Sequence, residues 1–410
     1  AYYQYVRNYR RGDEDSASLR KALEGLPEYA ERLEYLKNIE NAAEHSLSPE
    51  TGGRLFGRHM SMSASRFEDY RKCPFKYYCQ KGLKLSPPRK VELDSPSRGT
   101  AIHYCLCGFL KEKSREDFIS MSRGDITKLV KKYLDEYYRS DAVGGDYGKT
   151  KRYKAAFSRL SDTLTDILER LAAEFGQSKF VSEGFEYALR RDGDEEPLKL
   201  VTPSGITVWF EGTVDRVDVY RNGSESYVRV IDYKSGIKEF RYEDLLYGVN
   251  MQMLLYLFAV TEGNRRGRFS GDIPAGVLYM PAKDAAAGLG RGEGDEAAQE
   301  VLNGTYKMKG AVLYNDEVIA AMEKDCGGVF IPVKKSAGGY YSYSKLITAG
   351  QLENLRKYSY RLLEETAESL AEGRIEAVPL MDGEGALPCG YCDYRSVCGN
   401  YPPAKIREYA

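Results

Sequence analysis

Apolar residues recur every three to four positions along residues 17–47, as expected for a helix with one buried face. This pattern predicts one or two amphipathic helices. The next segment, 48–57, reads SPETGGRLFG, and its proline and glycines predict a linker. We therefore expect a domain boundary near residue 55, with a helical tail of a preceding domain at 1–55 and a second domain at 56–410.

A second group of helical patterns begins at residue 61. In SMSASRFEDYRK (61–72), Ser63 or Ser65 is expected to cap the helix, because its hydroxyl can accept a backbone N–H bond from the first turn. Apolar residues at helical spacing predict further helices over 98–113, 124–139, 151–175, from Tyr242 to about Thr261, and over 346–373.

The hydrophobic period changes to alternation in the middle of the chain, which favours half-buried strands. ITVWFEGTVDRVDVYRNG (206–223) alternates and ends in Asn-Gly, a pair typical of tight hairpin turns. YVRVIDYKSG (227–236) would be the returning strand, and PAGVLYMPA (274–282) predicts another. The charged, glycine-rich segment 283–300 predicts a flexible insertion. This order of elements predicts an α/β fold, a small mixed sheet flanked by helices.

The composition is that of a globular protein, with 410 residues, of which 42% are hydrophobic and 30% charged. The net charge of −1 gives no overall attraction to nucleic acid, although basic residues on one face would still bind it. No stretch approaches the roughly 18 apolar residues of a membrane span. The first residues, AYYQYVRNYRRGDEDSAS, contain neither a signal peptide nor an initiator Met. We therefore expect a cytoplasmic protein, and either a fragment of a longer chain or a processed protein.

Asp215, Asp232 and Lys234 form the first candidate site. The hairpin would bring Asp215 beside Asp232, and Lys234 would share the face of Asp232 because strand residues two apart point the same way. Two carboxylates supply the oxygen ligands that Mg²⁺ prefers, and a nearby lysine can offset charge developing on a phosphate. A D-x-K motif alone recurs by chance as a surface ion pair. Here, however, the apolar run VRVI predicts a buried strand that ends at Asp232, and active sites of open sheets tend to lie at strand ends.

Other polar residues are candidates for the same site. His103 in RGTAIHYCL lies on an expected helix, where it is either a metal ligand or a packed core residue. Gln252 and Tyr256 in NMQMLLYLFA share one helix face, and they support the site, touch DNA or form a plain polar edge. Glu183 and Glu186 in FVSEGFEYAL are further acidic candidates whose role the sequence leaves open.

The cysteines near the C terminus form a second candidate site. Cys389, Cys392 and Cys398 have the spacing C-x2-C-x5-C, which is typical of metal or cluster ligands. Cys73, which precedes a proline, is the best fourth ligand; an iron–sulfur cluster and zinc both fit the spacing. Such a site would close a very long loop and so stabilise the fold. Packed or half-exposed thiols are expected at the remaining cysteines, Cys79, Cys105, Cys107 and Cys326.

Several of these motifs occur in the order found in a known family. SMSASRFEDYRKCPFKYY, RGTAIHYCL, GTVDRVDV, VIDYKSG, NMQMLLYLFA and the cysteine spacing resemble RecB-like nucleases of the PD-(D/E)XK superfamily. The resemblance covers roughly residues 55–400. It is closest to the AddB family, which belongs to bacterial ATP-dependent helicase–nucleases that process double-strand DNA breaks. It implies a restriction-endonuclease-like core with helical additions.

The resemblance also implies residue roles. The catalytic residues would be Asp215, Asp232, Lys234, Gln252 and Tyr256, and the Mg²⁺ ligands would be His103, Asp215 and Asp232. A [4Fe–4S] cluster, with zinc as a substitute, would be held by Cys73, Cys389, Cys392 and Cys398. In this family the cluster holds the nuclease domain together and supports binding to DNA ends.

The implied function is Mg²⁺-dependent exonucleolytic cleavage of DNA for recombinational repair. An AddA-like subunit would supply the motor and cut the other strand, and residues 1–55 would end the helicase-like part. The alternative is a DNA-binding or structural module with little cleavage of its own. A motor within this chain is excluded because no G-x-x-x-x-G-K-[ST] motif occurs, the nearest approach being GGDYGKT at 144–150.

Overall fold

The computed structural model describes residues 2–8, 14–40, 46–86, 95–140, 151–236, 239–262, 267–283, 301, 303–398, 403 and 405–409. The insertion expected over 283–300 lies, apart from Lys283, outside these residues. Within them, no helix is both long and apolar enough to cross a membrane. The chain divides into two compact units. The first unit comprises Ala1–Arg58, Asp69–Pro88 and Glu368–Ala410, and the second comprises His59–Glu68 and Arg89–Ala367.

The helices follow the apolar patterns closely. They are α1 Tyr2–Asn8, α2 Glu14–Glu24, α3 Pro27–Glu40, α4 Pro49–Phe56, α5 Ala64–Lys72, α6 Pro74–Tyr77, α7 Ser95–Glu112, α8 Arg115–Ser120, α9 Arg123–Arg139, α10 Lys151–Gln177, α11 Tyr242–Leu246, α12 Gln252–Glu262, α13 Asp316–Met322, α14 Ala349–Ala371 and α15 Arg395–Cys398. A π-helix covers Tyr78–Gly82 and a 3₁₀ helix covers Pro388–Tyr391. The helix predicted over 61–72 begins at Ala64, and Ser63 Oγ caps it by accepting the Arg66 N–H at 3.3 Å.

The helices expected over 17–47 are confirmed as α2 and α3, which share a buried cluster with α1. The linker expected over 48–57 is wrong, because α4 occupies it. Ser48 Oγ caps α4 by accepting the Thr51 N–H at 3.2 Å, Pro49 begins it, and Gly57 ends it at φ 77°. Proline at the first position and glycine after the last are ordinary helix ends.

The strands lie in the second unit. They are β1 His59–Met62, β2 Val181–Leu189, β3 Leu198–Val201, β4 Thr207–Phe210, β5 Gly212–Asn222, β6 Glu225–Lys234, β7 Ile273–Pro281, β8 Lys309–Leu313, β9 Lys335–Ser336, β10 Gly339–Tyr340 and β11 Leu346–Ile347. The main sheet has the order β11-β8-β7-β6-β5-β2 and is mixed, since β6–β7 and β8–β11 are parallel and the other pairs antiparallel. A smaller sheet has the order β1-β4-β3, and β9 pairs with β10.

Two predicted elements are each divided in the structure. The alternating run 206–223 forms two strands, since β4 pairs in the smaller sheet and β5 in the main one. The helix expected from Tyr242 to about Thr261 is broken into α11 and α12, because Gly248 and Asn250 adopt positive φ angles of 75° and 59°. A helix cannot continue through left-handed residues.

Four buried charges join α10 to the central hairpin. Arg216 and Arg229 are fully buried, as are Asp218 and Glu174 to within 2%. Asp218 Oδ2 lies 2.9 Å from both Arg216 Nη2 and Arg229 Nε, and Glu174 bonds to both guanidinium groups. Burial alone would raise the pKa of Asp218, but the two arginines outweigh it and lower that pKa. These four side chains, here called the buried quartet, have no net charge. They link α10 to one face of β5 and β6.

Replacing one member of the buried quartet should cost much stability. In Glu174→Gln the arginines keep one carboxylate between them, so an uncompensated charge stays buried. We expect a loss of about 3–5 kcal/mol in the free energy of unfolding, measured by urea titration with circular dichroism.

A matched control for this variant lies on the same helix. Asp166→Asn breaks the pair with Arg123, whose side chain is 54% exposed, and should cost no more than about 1 kcal/mol. Equal losses for the two variants would show that the buried quartet contributes no more than a surface pair.

Candidate active site

The central hairpin places the two aspartates side by side. Strand β5 pairs antiparallel with β6 in the register Arg216↔Ile231, so Asp215 stands opposite Asp232. The Tyr233 N–H donates to Asp215 Oδ2 at 2.8 Å. The hairpin prediction is confirmed, although the loop falls on residues 223–224 because Asn222 still pairs with Glu225. Strand alternation puts both aspartates on the face opposite the buried quartet.

A histidine and a glutamate complete a trio with Asp215. His103 Nδ1 lies 3.3 Å from Asp215 Oδ1 and 3.7 Å from Glu186 Oε1. Within the part of the chain that the structure describes, this is the group of potential metal ligands whose atoms all lie within 4.8 Å of one another. Because His103 Nε2 lies 2.9 Å from the Tyr233 carbonyl oxygen and donates to it, Nδ1 is the ring nitrogen that faces the carboxylates.

Glu186 is one of the two glutamates whose role the sequence left open. It reaches the site because β2 pairs with β5 in the register Phe185↔Arg216 and Tyr187↔Val214, which sets Glu186 opposite Asp215. Its φ of 49° is unusual for a glutamate, and such backbone strain is common at functional sites. Glu183 lies elsewhere, since its carboxylate pairs with Arg221 and with Arg268 Nη2 at 3.0 Å.

Lys234 extends along the carboxylate of Asp232. Its Nζ lies 2.7 Å from Oδ2 and 3.0 Å from Oδ1 of Asp232. The Asp232 side chain is 5% exposed and that of Lys234 is 29% exposed, so the ammonium group stands between the buried acid and solvent. The structure therefore brings Asp215, Asp232 and Lys234 together on one face.

The electrostatics of the site favour a cation. Burial raises the pKa of Asp232 to about 6, and the Asp215 carboxylate adds to that rise while Lys234 opposes it. Burial tends to lower the pKa of His103, but Asp215 and Glu186 outweigh it and raise that pKa to about 10. Both shifts arise because several carboxylates share one poorly solvated place.

Gln252 and Tyr256 lie behind the aspartates on α12. Burial raises the pKa of Tyr256 to about 12, while its hydrogen bonds with the Gln252 side chain and the Thr213 backbone lower it. A Cβ atom on Gly212 would stand 2.5 Å from the Tyr256 ring, so only glycine fits there. The pair therefore supports Gly212 and Thr213 at the beginning of β5, three and two residues before Asp215.

The first unit brings the four candidate cysteines to one place. Cys73, Cys389, Cys392 and Cys398 line a small cavity of about 30 Å³. The segments that carry them are tied together, since the Leu380 N–H donates to the Lys72 carbonyl at 2.8 Å and Tyr394 Oη to the Leu85 carbonyl at 2.7 Å. Burial raises the pKa of the Cys73 thiol to about 11, and the Cys398 and Cys389 thiols add to the rise. The remaining cysteines are buried or half-buried, as expected.

Zinc and an iron–sulfur cluster require different distances between the sulfur atoms of their cysteine ligands. A single tetrahedral zinc ion with Zn–S bonds of about 2.3 Å needs sulfur atoms about 3.8 Å apart. Among the described residues, no three of these thiols have all their sulfur atoms within 4.8 Å of one another. A cluster binds each thiolate to a different iron and so takes a wider set.

Comparison with known proteins agrees with this architecture. A family model described as the PD-(D/E)XK nuclease superfamily matches residues 61–399. Curated relatives are named as the B subunit of an ATP-dependent helicase/deoxyribonuclease. The Clostridium kluyveri protein is 31% identical over 355 residues, which are 84% of this chain and 30% of that relative. The Thermoanaerobacter sp. protein is 32% identical over 352 residues, 84% of this chain and 30% of that relative. The Clostridium acetobutylicum protein is 29% identical over 357 residues, which are 86% of this chain and 31% of that relative.

These matches confirm the predicted resemblance and fold class. The chain spans about 30% of the length of the curated relatives that it matches. The matched segment contains the mixed sheet, its flanking helices and both candidate sites. The chain therefore belongs to the PD-(D/E)XK nuclease superfamily.

Proposed function

We propose that this chain is a Mg²⁺-dependent deoxyribonuclease that hydrolyses phosphodiester bonds at DNA ends as an exonuclease. The observation that supports it most is the convergence of His103, Glu186 and Asp215 beside the Asp232–Lys234 pair. Membership of a nuclease superfamily and the names of the relatives agree with this chemistry.

The donor set fits a divalent cation. His103 Nδ1 and the carboxylates of Glu186 and Asp215 would hold the metal directly, and Asp232 stands on the adjoining strand to complete the set. Mg²⁺ bound there would acidify a coordinated water and neutralise charge on the phosphate oxygens. The Nε2 bond of His103 to Tyr233 fixes the imidazole in the orientation that ligation requires.

The remaining residues have roles that follow from their positions. Asp232, with one edge of its carboxylate beside Lys234, would orient the attacking water and take up its proton. The Lys234 ammonium would stabilise the negative charge that develops on the phosphate. Tyr256 and Gln252 would hold β5 in place, acting through the backbone near Thr213 rather than on DNA.

The wider context is also part of the proposal. The relatives are components of helicase/deoxyribonucleases, so this chain would act in the cytoplasm with an AddA-like motor subunit, on single-stranded ends at double-strand breaks. Residues 1–55 would then be the end of a helicase-like part. The four cysteines would hold a [4Fe–4S] cluster in the first unit, where they line one small cavity.

Two glutamates on β2 give a sharp test of the metal centre. Glu186→Gln should lower Mg²⁺-dependent cleavage of end-labelled single-stranded DNA by at least about a hundredfold, because the variant loses a charged metal ligand. Titration calorimetry with Mg²⁺ should show weaker binding in the same variant.

The matched control is Glu183→Gln, three residues away on the same strand. The Glu183 carboxylate pairs with Arg221 and Arg268, so its loss should leave cleavage and Mg²⁺ binding near wild type. If both variants cut like wild type, the metal centre is not where we place it. If well-folded wild-type protein cuts nothing, the chain is a DNA-binding module or needs its motor subunit.

A further inference from the structure

A cavity of about 560 Å³ adjoins the metal-binding trio, a size within the roughly 300–1,000 Å³ of ligand pockets. Its lining includes His103 and Glu186 of the trio and three aromatic rings, those of Tyr104, Tyr133 and Tyr137. A ligand that filled this cavity would therefore touch residues of the trio as well as flat rings.

Two helices carry the three tyrosines that line the cavity. Tyr104 follows His103 on α7, and Tyr133 and Tyr137 are one turn apart on α9. The rings of Tyr104 and Tyr137 have centroids 5.3 Å apart, and those of Tyr104 and Tyr133 are 6.5 Å apart. Tyr104 is 43% exposed and lines the cavity, so part of this residue is accessible to a ligand.

One of the three rings is rigidly held. Tyr133 Oη lies 2.9 Å from the Gly108 carbonyl oxygen and 2.6 Å from Glu112 Oε2, so two acceptors share its one proton. A Cβ atom on Gly108 would stand 2.6 Å from this ring, so the glycine lets α7 and α9 approach closely. The cavity wall is therefore preformed, which lowers the entropic cost of binding.

We propose that this cavity binds an unstacked nucleobase of single-stranded DNA, next to the phosphate that is cut. This inference rests on the proposed nuclease function. Continuity with His103 and Glu186 places the occupant beside the scissile phosphate, and flat rings are the surface on which bases stack. A base in a duplex is already stacked and paired, so the cavity selects a single strand.

The test compares Tyr104→Ala with Tyr104→Phe in the full chain. First, a single strand carrying a fluorescent purine analogue is titrated with protein in the presence of EDTA. Tyr104→Ala should raise Kd at least about fivefold, the effect of losing one base stack, while Tyr104→Phe stays within about twofold of wild type. Tyr343→Ala, a 55% exposed tyrosine elsewhere in the second unit, should bind like wild type.

Second, one abasic site is moved along a cleavable strand in the presence of Mg²⁺. When the abasic site stands at one position beside the cut bond, it should lower the kcat/KM of the wild type at least about fivefold. The same abasic site should leave the kcat/KM of Tyr104→Ala almost unchanged, because this variant no longer stacks on the missing base. Unchanged Kd in Tyr104→Ala, or equal losses in both proteins at every position, would overturn the inference. A wild-type protein that binds the strand through Tyr104 but cuts nothing would support this inference and count against cleavage by this chain on its own.

Discussion

Replacing Lys234 by methionine is expected to lower the rate of DNA cleavage by at least about a hundredfold, and to leave the protein folded. The ammonium group lies 2.7 Å from the Asp232 carboxylate, where charge on a bound phosphate would develop, and methionine fills the same space without charge. The comparison is made with end-labelled single-stranded DNA and Mg²⁺, with products separated on a gel.

A lysine of the same sheet serves as the control for this variant. Lys309 begins β8, is 46% exposed, and its Nζ lies 3.8 Å from Glu239, so Lys309→Met removes a positive charge two strands away from Asp232. Cleavage should be near wild type in Lys309→Met. Equal activity in Lys234→Met and wild type would mean a contaminating nuclease or a wrongly assigned site.

The part of the site that could be predicted from the sequence is the part formed by neighbouring segments. Asp215, Asp232 and Lys234 lie on two strands joined by a short hairpin, so alternation and one turn are enough to bring them together. The cysteine site could likewise be predicted, from the spacing of Cys389, Cys392 and Cys398 and one distant partner, Cys73. The structure places all four in the lining of one cavity.

The residues that the sequence does not predict depend on long-range pairing. Glu186 joins the site only because β2 is the strand beside β5, and two glutamates three residues apart look alike in the sequence. Arg216 and Arg229 stand in runs that predict an apolar core, yet both are fully buried and paired. Their partner Glu174 lies on α10. Neither the alternation of apolar residues in the strands nor their helical spacing in α10 predicts that these charges pair. The aromatic lining around Tyr104 also depends on long-range packing, because Tyr137 on α9 meets Tyr104 on α7 only in the folded unit.

Loss of the cysteine site should have the largest effect on stability. Cys389→Ser would remove one thiolate and with it the proposed cluster, which would join Cys73 to residues 389–398. By the loop-closure argument, constraints of this length contribute about 5 kcal/mol. We expect the variant, purified without oxygen, to lack absorbance near about 400 nm and bound iron. Limited proteolysis should cleave its first unit faster than that of wild type.

The matched control for Cys389→Ser is Cys326→Ser. Cys326 is buried in the second unit, and its Sγ donates to the Glu323 carbonyl at 3.5 Å, a bond that a serine hydroxyl can also make. This variant should keep the colour, the iron and the protease resistance of wild type. Zinc in place of iron in anaerobically purified wild-type protein would mean that the four thiols close around one ion. Wild-type stability in Cys389→Ser would mean that the hydrogen bonds of Leu380 and Tyr394 suffice to hold the tail to residues 72–85.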